Sequence, residues 1–417
     1  MRRILPIGAA TALMVASAVL TVPGSAQAEP VDRAPAAKVK TEFAMKATGY
    51  GTRVQGGAVP LQSGTTAYQT IGCTNKAGLS RKNDLAAVSL PGLGEVEGVR
   101  TRVNTFTNKK LGRTSVVSQH DVARVKLGPL VLRGVSSKAT VWHDKDGFHQ
   151  SVETTLLGIR AGNQTFPIPA PNVPITIPGV ATVHLGDQNG YANKQGAYAA
   201  GNAIKVVLHP TDTVVRIAHS AAKMNRGVKS GRFRGQAHGT QIDALDENIR
   251  SGPLPLSYMP CQGTNGKVRE KAVAGLDLAG QIVVGAVRNR QMGKQDQKKA
   301  TGWTESTVAG IKLGPLEINA VKARANVTRF RDGRIKRNAN GTTIGEIVVN
   351  GQAQAIPPIG QALEIPGLLR LEAGIVEKTR LGIKVTALRL TLLDGTGATV
   401  DLGNARMEIR PSGAKKK

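Results

Sequence analysis

The groups in this chain that could do chemistry are seven histidines, two cysteines, and 56 Lys and Arg set against 28 Asp and Glu. The densest cluster of metal-type ligands is His143, Asp144, Asp146 and His149. Two imidazoles and two carboxylates at one hairpin tip could hold a divalent cation. Asp146-Gly147 is, however, a turn dipeptide, and the spacing matches no zinc or calcium pattern. The other histidines are His120, His184, His209, His219 and His238. They are scattered, and they read as surface or turn residues. No metal site and no cofactor is expected. The sequence carries no Gly-x-Ser-x-Gly elbow and no P-loop. No catalytic residue is assigned, and the chain is expected not to be an enzyme. A hydrolase acting on the wall would need a carboxylate pair in a cleft. The aromatic content of 3% counts against a sugar-binding cleft.

The strongest functional signal is positive charge. Lys322, Arg324, Arg329, Arg331, Arg334, Lys336 and Arg337 fall close together, with only Asp332 opposing them. Such groups grip phosphate or carboxylate through charge-assisted hydrogen bonds. The bland alternative is a solvated face. The chain carries a net charge of +28, and loss of Arg2 and Arg3 would leave +26. A field of that size attracts polyanions. Trp142 and Trp303 are the two tryptophans, too few to make stacking platforms for bases. Specific nucleic-acid binding is therefore not expected. The expected partner is an anionic cell-wall polymer or another polyanion.

These groups must be positioned by the elements around them. Arg2 and Arg3, the apolar run that follows, and Ala26-Gln27-Ala28 make a secretory leader, residues 1–28, cut between Ala28 and Glu29. No later stretch is apolar enough to cross a bilayer. No sorting motif or apolar tail precedes the final Lys415-Lys416-Lys417, so no covalent anchor is expected. The protein is placed outside the cytoplasm, secreted or held non-covalently at the envelope.

The chain repeats itself. Val122–Leu130 (VARVKLGPL) matches Val308–Leu316 (VAGIKLGPL) at seven of nine positions and an offset of 186. Ile177-Pro178-Gly179 faces Ile365-Pro366-Gly367 at an offset of 188. The expected organisation is a flexible segment at 29–44, one repeat at 45–222, a basic linker at 223–235, a second repeat at 236–410 and a basic tail at 411–417. His143, His149 and His219 face Arg329, Ile335 and Asn404, so the histidines are not shared between the copies.

Cys73 and Cys261 are the only cysteines and lie 188 residues apart, at matching points of the two repeats. An exported chain with an even cysteine count suggests a disulfide. Buried free thiols and a bridge between two molecules are the alternatives.

Strand signals dominate. Val321, Ala323, Ala325 and Val327 alternate with polar residues, the period of a half-buried strand. Arg331-Asp332-Gly333-Arg334 then supplies a hairpin turn. Ile383, Val385 and Ala387 change phase to Leu388, Leu390 and Leu392, which predicts a bulge. Asp394-Gly395 closes that hairpin. The expected fold class is all-β: two tandem, internally duplicated antiparallel β domains, sandwiches or curved sheets, related by a pseudo-two-fold.

Several stretches together carry a family resemblance. They are Gly72-Cys73-Thr74, Leu90-Pro91-Gly92-Leu93-Gly94, Gly98-Val99-Arg100-Thr101, Trp142-His143-Asp144 leading to Gly147-Phe148-His149, Pro178–Val183 and Ala218-His219-Ser220-Ala221. The chain resembles the choice-of-anchor P family of exported actinobacterial proteins. The resemblance implies a surface or secreted protein whose C-terminal attachment varies between members; it does not imply an activity. A lipid or other apolar-ligand carrier, built on a continuous apolar groove, is the alternative function.

Overall fold

The computed structural model describes residues 38–56, 65–90, 92–168, 170, 173–209, 211–243, 250–278, 282–393 and 398–412. The leader with its cleavage point, residues 29–37, the Asp394-Gly395 turn and residues 413–417 lie outside the described residues. Every regular element among the described residues is a strand.

The first copy runs β1 (Val39–Gln55), β2 (Gln69–Ala77), β3 (Leu79–Leu90), β4 (Gly94–Asn108), β5 (Arg113–Leu127), β6 (Leu130–Asp144), β7 (Gly147–Thr155), β8 (Gly158–Ala161), β9 (Gln164–Phe166), β10 (Ile175–Ile177), β11 (Ala181–Asn193), β12 (Gly196–Leu208) and β13 (Thr213–Arg226). The second runs β14 (Gly231–Asp243), β15 (Arg250–Leu254), β16 (Ser257–Tyr258), β17 (Arg269–Val273), β18 (Leu276–Leu278), β19 (Ile282–Val284), β20 (Val287–Gln295), β21 (Lys299–Leu313), β22 (Leu316–Phe330), β23 (Ile335–Asn338), β24 (Ile347–Val349), β25 (Gln352–Gln354), β26 (Ala362–Ile365), β27 (Leu369–Thr379), β28 (Gly382–Leu392) and β29 (Thr399–Pro411).

Each copy makes two antiparallel sheets. In the first, one sheet has the order β10-β11-β12-β13-β1-β2 and the other β3-β4-β5-β6-β8-β9, with β7 also on β6. In the second, the matching sheets are β15-β14-β29-β28-β27-β26 and β17-β20-β21-β22-β24-β25. The first and last long strands of each copy pair with each other, β1 with β13 and β14 with β29. The two sheets of a copy pack face to face, β12 and β13 over β5 to β7, and β28 and β29 over β21 and β22. Alternation along β22 buries Val321, Ala323, Ala325 and Val327, as a half-buried strand requires.

A line of residues outside the ladder crosses each sheet, one from each strand, with the register unchanged on either side. Gly186, Ala203, Ala218 and Gly51 drop out of the ladder across β11, β12, β13 and β1. Ala86, Gly98, Ala123 and Gly134 do the same across β3 to β6. In the second copy the line includes Gly374, Ala387, Gly403 and Gly239. The change of phase at Ala387 is one of these positions; Gly374 and Gly403 drop out opposite it, so it is a kink shared by neighbouring strands and not the one-sided bulge expected from the sequence. The positions are small because the bend brings strands together. A Cβ on Gly98, whose φ is +59°, would stand 2.7 Å from that of Ala123.

The core of the first copy is two apolar clusters. One gathers Val54, Val96, Val125, Leu132, Ile204 and Ile217, and the other Met45, Ile71, Val103, Val116, Val141 and Met224. Fully buried Thr101, Ser118, His120, Ser137 and Ser220 lie between them, each two residues along its strand from an apolar core residue. The second copy has one continuous cluster.

The copies are joined by a disulfide between Cys73 and Cys261, with Cα atoms 5.6 Å apart. Asn75 Nδ2 donates to Ser412 O at 2.7 Å, and an Arg232 guanidinium N–H donates to Cys73 O at 3.0 Å. Two segment boundaries differ from the sequence reading. β1 begins at Val39, inside the segment expected to be flexible, because Phe43 buries its ring against His143 and Phe148. The stretch 223–235 is mostly strand, and only 227–230 connects β13 to β14. There Gln295 Oε1 accepts the backbone N–H groups of Lys229, Ser230 and Gly231 at 2.9, 3.0 and 3.0 Å. Charge placed this segment in solvent, but backbone pairing and burial of Val228 and Phe233 decide its path.

Candidate anion-binding surface

The β22–β23 hairpin forms around Asp332-Gly333, where Asp332 Oδ1 accepts the Arg334 N–H at 2.9 Å and Gly333 takes a φ of +100°. Pairing then sets Val327 opposite Arg337, Thr328 opposite Lys336 and Arg329 opposite Ile335. Val327 faces the core, so Arg329, two residues on, continues the inner face at the open end of the sandwich.

The structure divides the seven basic residues. Arg324 is engaged internally: it pairs with Glu305 at 3.0 Å, donates to Asn326 Oδ1 at 3.1 Å and lies over Trp303 at 4.2 Å. Glu305 also holds Arg290 at 3.5 Å, so one nearly buried carboxylate is shared by two guanidinium groups. Arg334 pairs with Asp332 at 2.6 Å and covers the Phe330 ring. Arg337 donates to Thr379 O at 2.7 Å, which ties β23 to the turn between β27 and β28. Lys322 is half-buried beside a bridge to Thr343. Arg331 and Lys336 are exposed.

Arg329 is half-buried. Among the described residues it makes no ion pair with a carboxylate. Burial, together with Arg380 beside it, pulls its pKa below the usual guanidinium value. Arg380 is exposed in the same turn that Arg337 grips. Three arginines thus meet at the mouth between two sheets. Sequence reading found Arg329 and Arg337 but not Arg380, which lies 51 residues beyond Arg329 and outside the charge run.

The His/Asp cluster of the first copy is a closed hydrogen-bonded turn. Asp144 accepts from His149 at 3.0 Å, from the Trp142 indole at 3.1 Å and from the Asp146 N–H at 3.0 Å. Burial opposes ionisation, but these donors together hold the Asp144 carboxyl below its ordinary value. His149 stacks on Trp142, and Arg113 covers that ring at 4.1 Å. Among the described residues no group of three His, Cys, Asp or Glu is arranged to hold a metal ion.

Three histidines read from the sequence as surface or turn residues lie deeper than that: His120 and His238 are buried and His219 is half-buried. His120 Nδ1 meets Thr101 Oγ1 at 2.6 Å, and Thr101 donates onward to Ala67 O. Burial pushes the His120 pKa down to about 3. His219 and His238 are pushed down to about 4, again chiefly by burial.

A cleft of about 640 Å³ lies on the outer face of β3 to β6, over Gly98, Ala123 and Gly134, with Leu85 and Leu157 at its ends. The interior of each sandwich is filled by its own side chains. No described helix is long and apolar enough to cross a membrane.

No family model matches the chain, and no curated protein does. Among solved structures, a Nitrosomonas europaea protein provisionally described as AttH is 7% identical, with 92% of this chain and 98% of that one covered. The TM-score is 0.12, too low for a likeness of fold.

Proposed function

We propose that this is an exported, non-enzymatic protein that binds an anionic envelope polymer through basic residues of its second copy. It works outside the cytoplasm, secreted or held ionically at the envelope, in keeping with its resemblance to choice-of-anchor P proteins. One observation carries the reading: Arg337 ties the hairpin that bears Arg329 to the turn that bears Arg380, within reach of each other's charge, and neither Arg329 nor Arg380 has an ion-pair partner among the described residues. Two like charges so placed repel each other, and a phosphate or carboxylate between them reverses the sign of that interaction. Arg331 and Lys336 extend the positive surface along the hairpin. The chain's net charge of +28 supplies the long-range attraction.

The test is co-sedimentation of the secreted protein with isolated cell walls over a salt series, before and after the wall phosphate polymers are stripped. Binding should fall with salt and vanish on stripping. A variant with Arg329→Gln, Arg331→Gln and Arg380→Gln should bind less tightly and with a shallower salt dependence. Wild-type protein that stays in solution at every salt concentration would sink the proposal.

A further inference from the structure

We infer a second anion site, in the first copy, on the outer face of the sheet containing β11, β12, β13 and β1. It does not depend on the hairpin of the second copy. Strand register places four side chains in one line across this face. His184 is opposite Lys205, Lys205 opposite Arg216, and Arg216 opposite Arg53. Adjacent strands are about 4.8 Å apart, so the line spans about 14 Å. Like charges directly opposite each other on neighbouring strands destabilise a sheet. Here three permanent cations are stacked in that way. Among the described residues none of the three makes a salt bridge.

The second copy supplies an internal control. Its matching line reads Glu372, Arg389, Asp401 and Gln241, paired in the same register. There Arg389 Nε and Nη2 donate to the two Asp401 oxygens at 2.7 and 2.9 Å. The same place in the same fold is thus charge-balanced in one copy and wholly basic in the other. The fold does not require the basic row, since the second copy forms the sheet without it.

The next row on this face adds polar groups. Asn202 Nδ2 donates to Asp187 at 3.0 Å, and Asn202 Oδ1 faces His219 Nδ1 at 3.0 Å. That contact puts the proton on Nδ1 and leaves the Nε2 lone pair free to accept. The His219 ring stacks on Tyr50 at 4.5 Å, and the Arg53 charge acts on Tyr50. Arg216 is braced by Gln55 at 2.5 Å. Burial, then Arg53 and Arg216, keeps His219 neutral at pH 7 against the pull of Asp187. The site therefore combines a row of cations with one adjoining neutral acceptor. The chemistry it fits is a chain of phosphate groups laid across the strands, its oxygens on Arg53, Arg216 and Lys205.

The experiment uses the whole secreted chain and inorganic tripolyphosphate, titrated calorimetrically at low salt. The key variant transplants the pair of the second copy into the first: Lys205→Arg with Arg216→Asp. That arrangement already exists in the matching sheet, so the melting temperature should hold. Affinity at one site should fall at least tenfold. If the transplant fails to fold, Arg53→Gln with Arg216→Gln removes two charges without adding one and should give the same loss. Arg329→Gln with Arg380→Gln, measured in parallel, should leave this site intact. Tripolyphosphate binding unchanged in a folded variant of the row overturns the inference. Loss of all binding in the hairpin variant alone would overturn it too, while leaving the hairpin proposal standing.

Discussion

Acid should unfold this protein well before its carboxylates titrate. In the folded chain His120 is held neutral down to about pH 3, and His219 and His238 down to about pH 4. The unfolded chain should show the ordinary value of about 6.5. The unfolded state thus takes up more protons between about pH 6.5 and 4, and stability falls as pH drops through that window. At pH 5 each imidazole is about 1.5 units below its unfolded pKa, a penalty of about 2 kcal/mol. Three such groups give about 6 kcal/mol, comparable to the whole stability of a typical domain. The facing groups do not cancel this. His120 meets neutral Thr101 and His219. His219 feels Asp187, Arg53 and Arg216, and His238 feels Asp401, Lys384 and Gln241. The assay is urea unfolding at about pH 7.5, 6 and 5. The midpoint should drop steeply below pH 6.5, and His120→Gln should reduce the pH dependence by about a third. Equal midpoints at pH 7.5 and 5 would refute the reasoning, as would a histidine variant with the slope of the wild type.

Two further outcomes follow from the joint between the copies. Replacing both Cys73 and Cys261 by Ser opens a loop of 188 residues, which by the chain-entropy model lowers stability by about 5 kcal/mol. Thermal unfolding of the double variant should occur at a clearly lower temperature, with the strand circular dichroism of the native protein retained below it. Gln295→Ala removes the oxygen that accepts three backbone N–H groups of the connection. The cost should be about 1–3 kcal/mol in urea unfolding, with faster hydrogen exchange at 229–231.

The sequence by itself determined what depends on neighbours along the chain. Alternation marked Val321 to Val327 as a buried strand face, and Asp332-Gly333 marked its turn. Repetition at offsets of 186 to 188 set Cys73 against Cys261, and the disulfide joins those two residues. The kink at Ala387 appeared as a change of phase within one strand, but that neighbouring strands share it is a matter of pairing. Tertiary structure decided what depends on register between strands. Arg324 counted as one more positive charge until β21 brought Glu305 beside it. Arg380 lay outside the basic run until the β27–β28 turn met the hairpin. His184, Lys205, Arg216 and Arg53 come from four separate strands, and no local pattern links them. The reason is physical. Along a strand, period and turn chemistry are written in adjacent residues. Across a sheet, a side chain's neighbours are fixed by pairing, over whatever length of chain the connection spans.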